Sequence, residues 1–335
     1  MTHRATTSYY CEIKIKMVGL LFMLLSLVHT SQAIVEITAT LPCPDDEIPF
    51  NSLCIPKDQS YLRAYKFLLD NLPSWDLSNS ATLGFHNSTG QEVDGLEDGI
   101  ATIGINSSLT TKKRNPWARD VSEDIFYEYV VPYAHVNEAR NNWRPFLTTA
   151  VNQILAFLEP DISLASVSDV VDLLNNNLWD SGVLGNKIIF KSSQTPLIYD
   201  PMSTIVYGYA SCTGVSILFA DSLRAAGIPA RVAGTPAWNQ VTSHGNHNWV
   251  EVYDQLTEAW HFLEASPAGG GESLTNPCDK WFCTKEKMEN GTKVFATRWQ
   301  FDTSGTVYPM AWDMDNKEIP GVDRTQYYQD VCNKC

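Results

Sequence analysis

Basic residues are scarce in this 335-residue chain: 24 Lys and Arg stand against 38 Asp and Glu, a formal net charge of −14. So acidic a surface argues against a nucleic acid partner and against docking on anionic membranes. Charge is thin altogether, at 19% of residues against 44% hydrophobic, which excludes a disordered acidic chain and leaves enough apolar material for a large core. Long apolar runs are lacking too. The longest, Met17 to Val28, falls short of the roughly 18 residues a spanning helix needs, so stable membrane insertion is not expected. Cofactor signatures are missing: Gly269 to Gly271 have no strand–helix context for a phosphate loop and read as a turn. Asp313, Asp315 and Asn316 open like a calcium loop, but Glu318 stands where the sharp turn needs Gly and Arg324 where the bidentate Glu belongs. Cys212, His244, His247 and His261 are zinc-ligand types without a zinc spacing. Neither metal nor cofactor is expected.

What is present begins with a leader. Lys14 and Lys16 precede the short apolar run, and Ser31, Gln32 and Ala33 supply small residues for cleavage, so residues 1–33 read as a secretory signal peptide and the mature chain as an extracellular protein starting near Ile34. Loss of Arg4, Lys14, Lys16 and Glu12 with it makes the net charge about −16. Asn87, Asn106 and Asn290 each open an N-x-S/T sequon, consistent with secretion. Of eight cysteines Cys11 goes with the leader, and seven is odd: six pair in an oxidising compartment and one thiol is left over. Six cysteines allow 15 connectivities; their clustering favours the local pairs Cys43 with Cys54, Cys278 with Cys283 and Cys332 with Cys335.

The stretch from Tyr207 to Pro267 names the odd thiol. Val215, Leu218, Phe219, Leu223 and Ala226 recur at three- and four-residue steps, one buried helix face, and Gly227 with Pro229 stops the helix. Cys212 sits at its N-terminus, where the macrodipole and unpaired N–H groups favour a thiolate. His247 then opens an alternating run to Tyr253, a strand with His247, Trp249 and Glu251 on one face. Glu251 is four residues along, roughly 13 Å away, too far to orient the imidazole. A turn near Leu256 returns a strand over Trp260 to Glu264, placing Ala265 opposite His247 and making Glu264 the candidate acid.

The order of a Cys-bearing helix, then GIPAR, then H-x-W-V-E-V, then a W-x-x-x-acid strand resembles the transglutaminase-like superfamily of papain-related thiol enzymes. The resemblance implies a Cys212, His247, Glu264 triad. This chain has Glu264 where the family usually has Asp, and Ala210 where it often has Gly. More weakly, LLDNLP at Leu68 to Pro73 and VVPYAHVNEARNNWRP at Val130 to Pro145 are similar to segments of secreted bacterial relatives. The implied fold is α+β, a nucleophile-bearing helix packed on an antiparallel sheet with a helical region before it. The implied chemistry is attack on an amide of a protein or peptide, by acyl transfer, deamidation or hydrolysis; the alternative is an inactive extracellular binding module on the same fold.

Along the rest of the chain, 34–120 reads as an N-terminal extension and helical or loop region and 121–335 as the catalytic domain with C-terminal strands. Ser60 caps a helix ending before Pro73, whereas Ser74 to Asn115, polar and glycine-rich, reads mostly as loop. Helices are expected within Val121 to Arg144 and over Ala150 to Phe157 and Val167 to Leu178, and strands over Lys293 to Trp299 and Thr306 to Trp312. Trp179, 33 residues before Cys212, lies near where eukaryotic transglutaminases place a tryptophan that supports the reaction intermediate, but reads here as a packed core aromatic.

Overall fold

The computed structural model describes residues 47–50, 53–56, 60–85, 99–289 and 291–335. The leader, Cys43 and the sequons at Asn87 and Asn290 lie outside the described residues, as does the side chain of Cys54. Two short antiparallel strands, β1 (Glu47–Phe50) and β2 (Leu53–Pro56), precede the helix Ser60–Asp70. A two-residue parallel pair, β3 (Ile189–Phe190) with β4 (Tyr209–Ala210), leads into the Cys212–Ala225 helix. The main sheet follows: β5 (Ala230–Thr235), β6 (His247–Asp254), β7 (Ala259–Leu263), β8 (Phe295–Thr297) and β9 (Gly321–Asp323), in the order β7-β6-β5-β8-β9 and antiparallel throughout. This is the expected α+β architecture.

Strand alternation decides which side of the sheet carries which core. Val250 and Val252 face the Cys212 helix and pack with its Val215, Leu218 and Leu223, all fully buried. Each such side chain contributes about 1.5–3 kcal/mol relative to exposure. Trp249 points the other way, into a cluster with Phe262, Phe282 and Tyr328 under the helix Thr325–Cys332. On that side Glu251 is fully buried and accepts from Arg231 Nε at 2.7 Å, Arg324 Nε at 2.8 Å and the Tyr328 hydroxyl at 3.1 Å. It is a sheet anchor, as its distance from His247 required.

The Val130 to Pro145 segment fastens the helical region to the Cys212 helix. Helix Glu123–Tyr129 ends and the chain runs irregularly to helix Trp143–Leu155, leaving carbonyls without ladder partners. Buried Arg144 donates to Val130 O at 2.7 Å and Pro132 O at 3.0 Å, while Arg224 donates to Ala134 O at 3.0 Å. His135 Nε2 meets Asp221 of the Cys212 helix at 3.2 Å, and burial, with the charges of Arg224, Arg144 and Arg140 adding to it, holds the imidazole well below its ordinary pKa.

Three expectations are corrected here. Much of the stretch assigned to loop is a 15-residue helix, Ile100–Arg114, and it carries Asn106. Its small polar residues hid it from a hydrophobic pattern, yet Gly104, Ser108 and Thr111 are buried because smallness permits close packing; Gly104 lies against the Arg144 side chain. No strand spans Thr306 to Trp312, where only isolated bridges, Val307 to Pro320 and Met310 to Asp313, are made. The cysteine pairs are nested instead of local: Cys278–Cys335 and Cys283–Cys332. Clustering along the chain misled because the C-terminal helix returns to lie against the 278–283 turn, bringing the two clusters together. Among the described residues Cys212 is the free cysteine.

Candidate active site

Three elements converge at one end of the sheet. Ser211 is the extended residue before the Cys212 helix, so Cys212 occupies its first turn, partly exposed. His247 is the first residue of β6, and Glu264 follows the last paired residue of β7. The structure brings all three together: the Cys212 thiol is hydrogen-bonded to the His247 ring, and His247 Nε2 lies in ion-pair contact with Glu264 Oε1. With Nε2 against the acid, Nδ1 is the ring nitrogen left for the thiol.

The electrostatics favour an ion pair. Burial resists charge on Cys212, but its hydrogen bond to His247, the imidazolium charge and the backbone N–H groups of Asn248 and Thr213 outweigh it and hold the thiol below its usual range. Burial also resists charge on His247, yet its bonds to Cys212 and Glu264 and their charges push it up to about 9. Across the interval between these two ionisations, thiolate and imidazolium are the stable forms.

Beyond Trp249, the residues that hold this arrangement carried little sequence signal. Trp281 packs its ring 4.8 Å from the His247 ring and donates its indole N–H to Glu264 Oε2 at 2.8 Å. Trp238, Trp249 and Phe282 complete an aromatic surround for the imidazole. Asn248 ties strand to helix: its Nδ2 donates to Thr213 Oγ1 at 2.7 Å and its Oδ1 accepts from the Tyr308 hydroxyl at 2.6 Å. Gly234 makes room for that amide, since a Cβ there would stand 2.2 Å from Asn248 Oδ1. Burial pushes the Tyr308 hydroxyl up, and the negative charge at Cys212 adds to it, so it stays a donor. The one available hint was Trp281 lying between Cys278 and Cys283. Trp179 is 5.8 Å from Phe219 in the core and donates to Asn175 O, a packed aromatic as expected.

Cys212 and His247 open into a cleft of about 620 Å³. Its lining is polar at Ser192, Ser193, Thr195, Ser211 and Asn246 and aromatic at Phe190, Trp281 and Trp312. Apart from Cys212 and His247 this lining has no titratable side chain: no Asp, Glu, Lys or Arg joins it. The arrangement can present a thiolate and a proton donor to an uncharged polar group.

Residues 163–265 match the family model of the transglutaminase-like superfamily. Among solved structures, a candidate cysteine protease from Cytophaga hutchinsonii is similar at 17% identity with a TM-score of 0.25, over 42% of this chain and 50% of that one. The chain thus spans about half the length of that protein. No curated protein matches.

Proposed function

We propose, from the match of residues 163–265 to the family model of the transglutaminase-like superfamily, that this protein is a secreted, cysteine-dependent enzyme that acts on amide bonds of proteins or peptides through a thioester at Cys212. The observation that carries the reading is the contact chain Cys212, His247, Glu264 at the mouth of a neutral cleft.

The Cys212 thiolate attacks the amide carbonyl carbon, forming a C–S bond as the C–O π electrons move to oxygen. The backbone N–H of Cys212, at the helix start, stabilises that oxyanion. Collapse breaks the C–N bond, and His247 gives its proton to the leaving nitrogen, releasing ammonia or an amine. A lysine amine or water then attacks the thioester, loses a proton to His247 and expels the thiolate. An amine acceptor yields a cross-link; water yields deamidation or cleavage. Glu264 orients the imidazole and stabilises its cation, while Trp281 keeps solvent from that pair. Export is supported by the leader pattern and by two disulfides. Among the described residues no helix is long and apolar enough to cross a membrane.

The test is incubation with a glutamine-containing protein mixture and a primary amine, followed by mass spectrometry. Amine incorporation, ammonia loss or backbone cleavage, each abolished by Cys212→Ala, is the expected class of result and identifies the acceptor. Absence of all three together with an unreactive Cys212 would overturn the enzyme reading in favour of a binding module.

A further inference from the structure

Glu264 lies one residue past Leu263, the last residue of β7 paired with β6, so the ladder no longer serves its backbone. Its groups are held individually. Asn175 Nδ2 donates to its carbonyl at 2.9 Å, and Asn175 Oδ1 accepts from Ser266 N at 2.8 Å. Trp281 and His247 take its two carboxylate oxygens. Its buried N–H is left, and a buried donor must find an acceptor: Glu272 Oε2 accepts from it at 2.9 Å.

We propose that Glu272 is a positioning residue for the reaction, its side chain fixing the main chain of Glu264 and its ionisation tightening the contact of Glu264 with His247. The proposal rests on the triad reading given above. The chain between the two acids is shaped for this approach. After Glu264 it turns back, with Ala268 N donating to Ala265 O at 2.8 Å, and passes Gly269 over both carboxylates. A Cβ on Gly269 would lie 2.4 Å from Glu264 Oε2 and 3.1 Å from Glu272 Oε1, so both acids crowd one bare Cα.

The charged groups acting on Glu272 are Glu264, Lys280 and Asp279. Burial pushes the carboxyl up to about 7; the Glu264 and Asp279 charges add to this, while the bond from Glu264 N–H and the Lys280 charge oppose it. The group therefore changes charge within the working range of a thiol enzyme. Once ionised, it accepts a charge-assisted bond roughly twice as strong as a neutral one and adds negative charge beside the imidazolium system. Thiolate at Cys212 is then favoured, and its reactivity rises as pH climbs through 7.

The experiment is alkylation of Cys212 by iodoacetamide from pH 5.5 to 9 in the full chain, comparing wild type with Glu272→Gln and Glu272→Asp. In wild type the Cys212 thiolate forms at a lower pH than an ordinary thiol, and the alkylation rate shows an added step of about threefold through pH 7 as Glu272 ionises. Glu272→Gln keeps an acceptor but cannot ionise, so the step vanishes. Glu272→Asp ionises but falls short of Glu264 N–H, so the step shrinks and the rate drops at every pH. An unchanged step in Glu272→Gln, or in Glu272→Asp should the glutamine variant not fold, overturns the role of Glu272 and leaves the triad standing. Ordinary thiol titration of wild-type Cys212 overturns the triad reading itself and this proposal with it.

Discussion

His247 and Glu264 are diagonal neighbours across β6 and β7, not a directly opposed pair. The observed register sets Val250 against Leu263, so continuing it would put Trp249 opposite Glu264 and Ser266 opposite His247. A turn centred near Leu256 would instead have put Ala265 there. One residue of register reverses a side chain's face, but Glu264 lies two positions from the residue facing His247 and keeps the imidazole's side of the sheet. A diagonal span suits the longer arm of a glutamate, which reaches across the offset where an aspartate would fall short.

The division of labour in the triad makes the first prediction. Cys212→Ser should lower single-turnover acylation of a reactive amide by about four orders of magnitude, since a hydroxyl lacks an accessible anion at neutral pH. His247→Ala should cost nearly as much. Glu264→Gln should cost about ten- to a hundredfold, keeping a hydrogen bond to the ring while losing the charge behind the cation. Wild-type rates in Glu264→Gln would assign the acid elsewhere.

The pH dependence of kcat/KM should be bell-shaped. On the acid side protonation of the Cys212 thiolate removes the nucleophile, at a pH below that of an ordinary thiol because the His247 bond and charge overcome burial. On the alkaline side the rate should fall near pH 9, where His247 loses the proton it must give the leaving amine. These limbs belong to the Cys–His pair jointly, and Glu264→Gln should move the alkaline limb to lower pH. An alkaline limb unmoved by that substitution would contradict the coupling.

Glu251 should govern stability instead of chemistry. Burial works against its charge, but Arg231 and Arg324 outweigh it and hold the carboxyl below its ordinary value. Its contribution is therefore present above the unfolded-state pKa and lost as pH falls through the lower folded one. Glu251→Gln leaves two arginines short of a partner charge and should cost about 3–5 kcal/mol at pH 7. Urea unfolding at pH 7 and pH 3 measures it, and the gap between variant and wild type should narrow at the lower pH.

What could be read from the residues was what periodicity and local chemistry encode. The Cys212 helix and the β6–β7 pair announce themselves because apolar spacing is forced wherever an element is buried on one face. Residues 163–265, the span of the family match, contain Cys212, His247 and Glu264. The rest depended on contacts between distant segments. Asn248, Tyr308 and Trp281 are ordinary in sequence and gain meaning only where the 278–310 region folds back onto β6. The helix Ile100–Arg114 was hidden because its buried residues are small and polar, and the disulfides because pairing follows folded proximity instead of chain spacing.

That fold-back leads to the last prediction, a dependence of the thiol site on disulfides that do not include its thiol. Cys278–Cys335 and Cys283–Cys332 tie both ends of a six-residue turn to the C-terminal helix and its following residues, and Trp281 and Phe282 on that turn wall His247. The clamp thus carries the indole N–H that holds Glu264 Oε2. Non-reducing peptide mapping should find these two pairs with Cys212 unpaired. Replacing Cys283 and Cys332 together by Ser should cost about 2–4 kcal/mol of stability and should also lower kcat. Trp281→Phe isolates the second effect: it keeps an aromatic ring beside the imidazole, removes the hydrogen bond, and should lower kcat about three- to tenfold with little change in unfolding free energy. If the disulfide variant lost stability while its kcat at a permissive temperature stayed at the wild-type value, the clamp would serve the C-terminal helix alone and Trp281 would be held by its own packing.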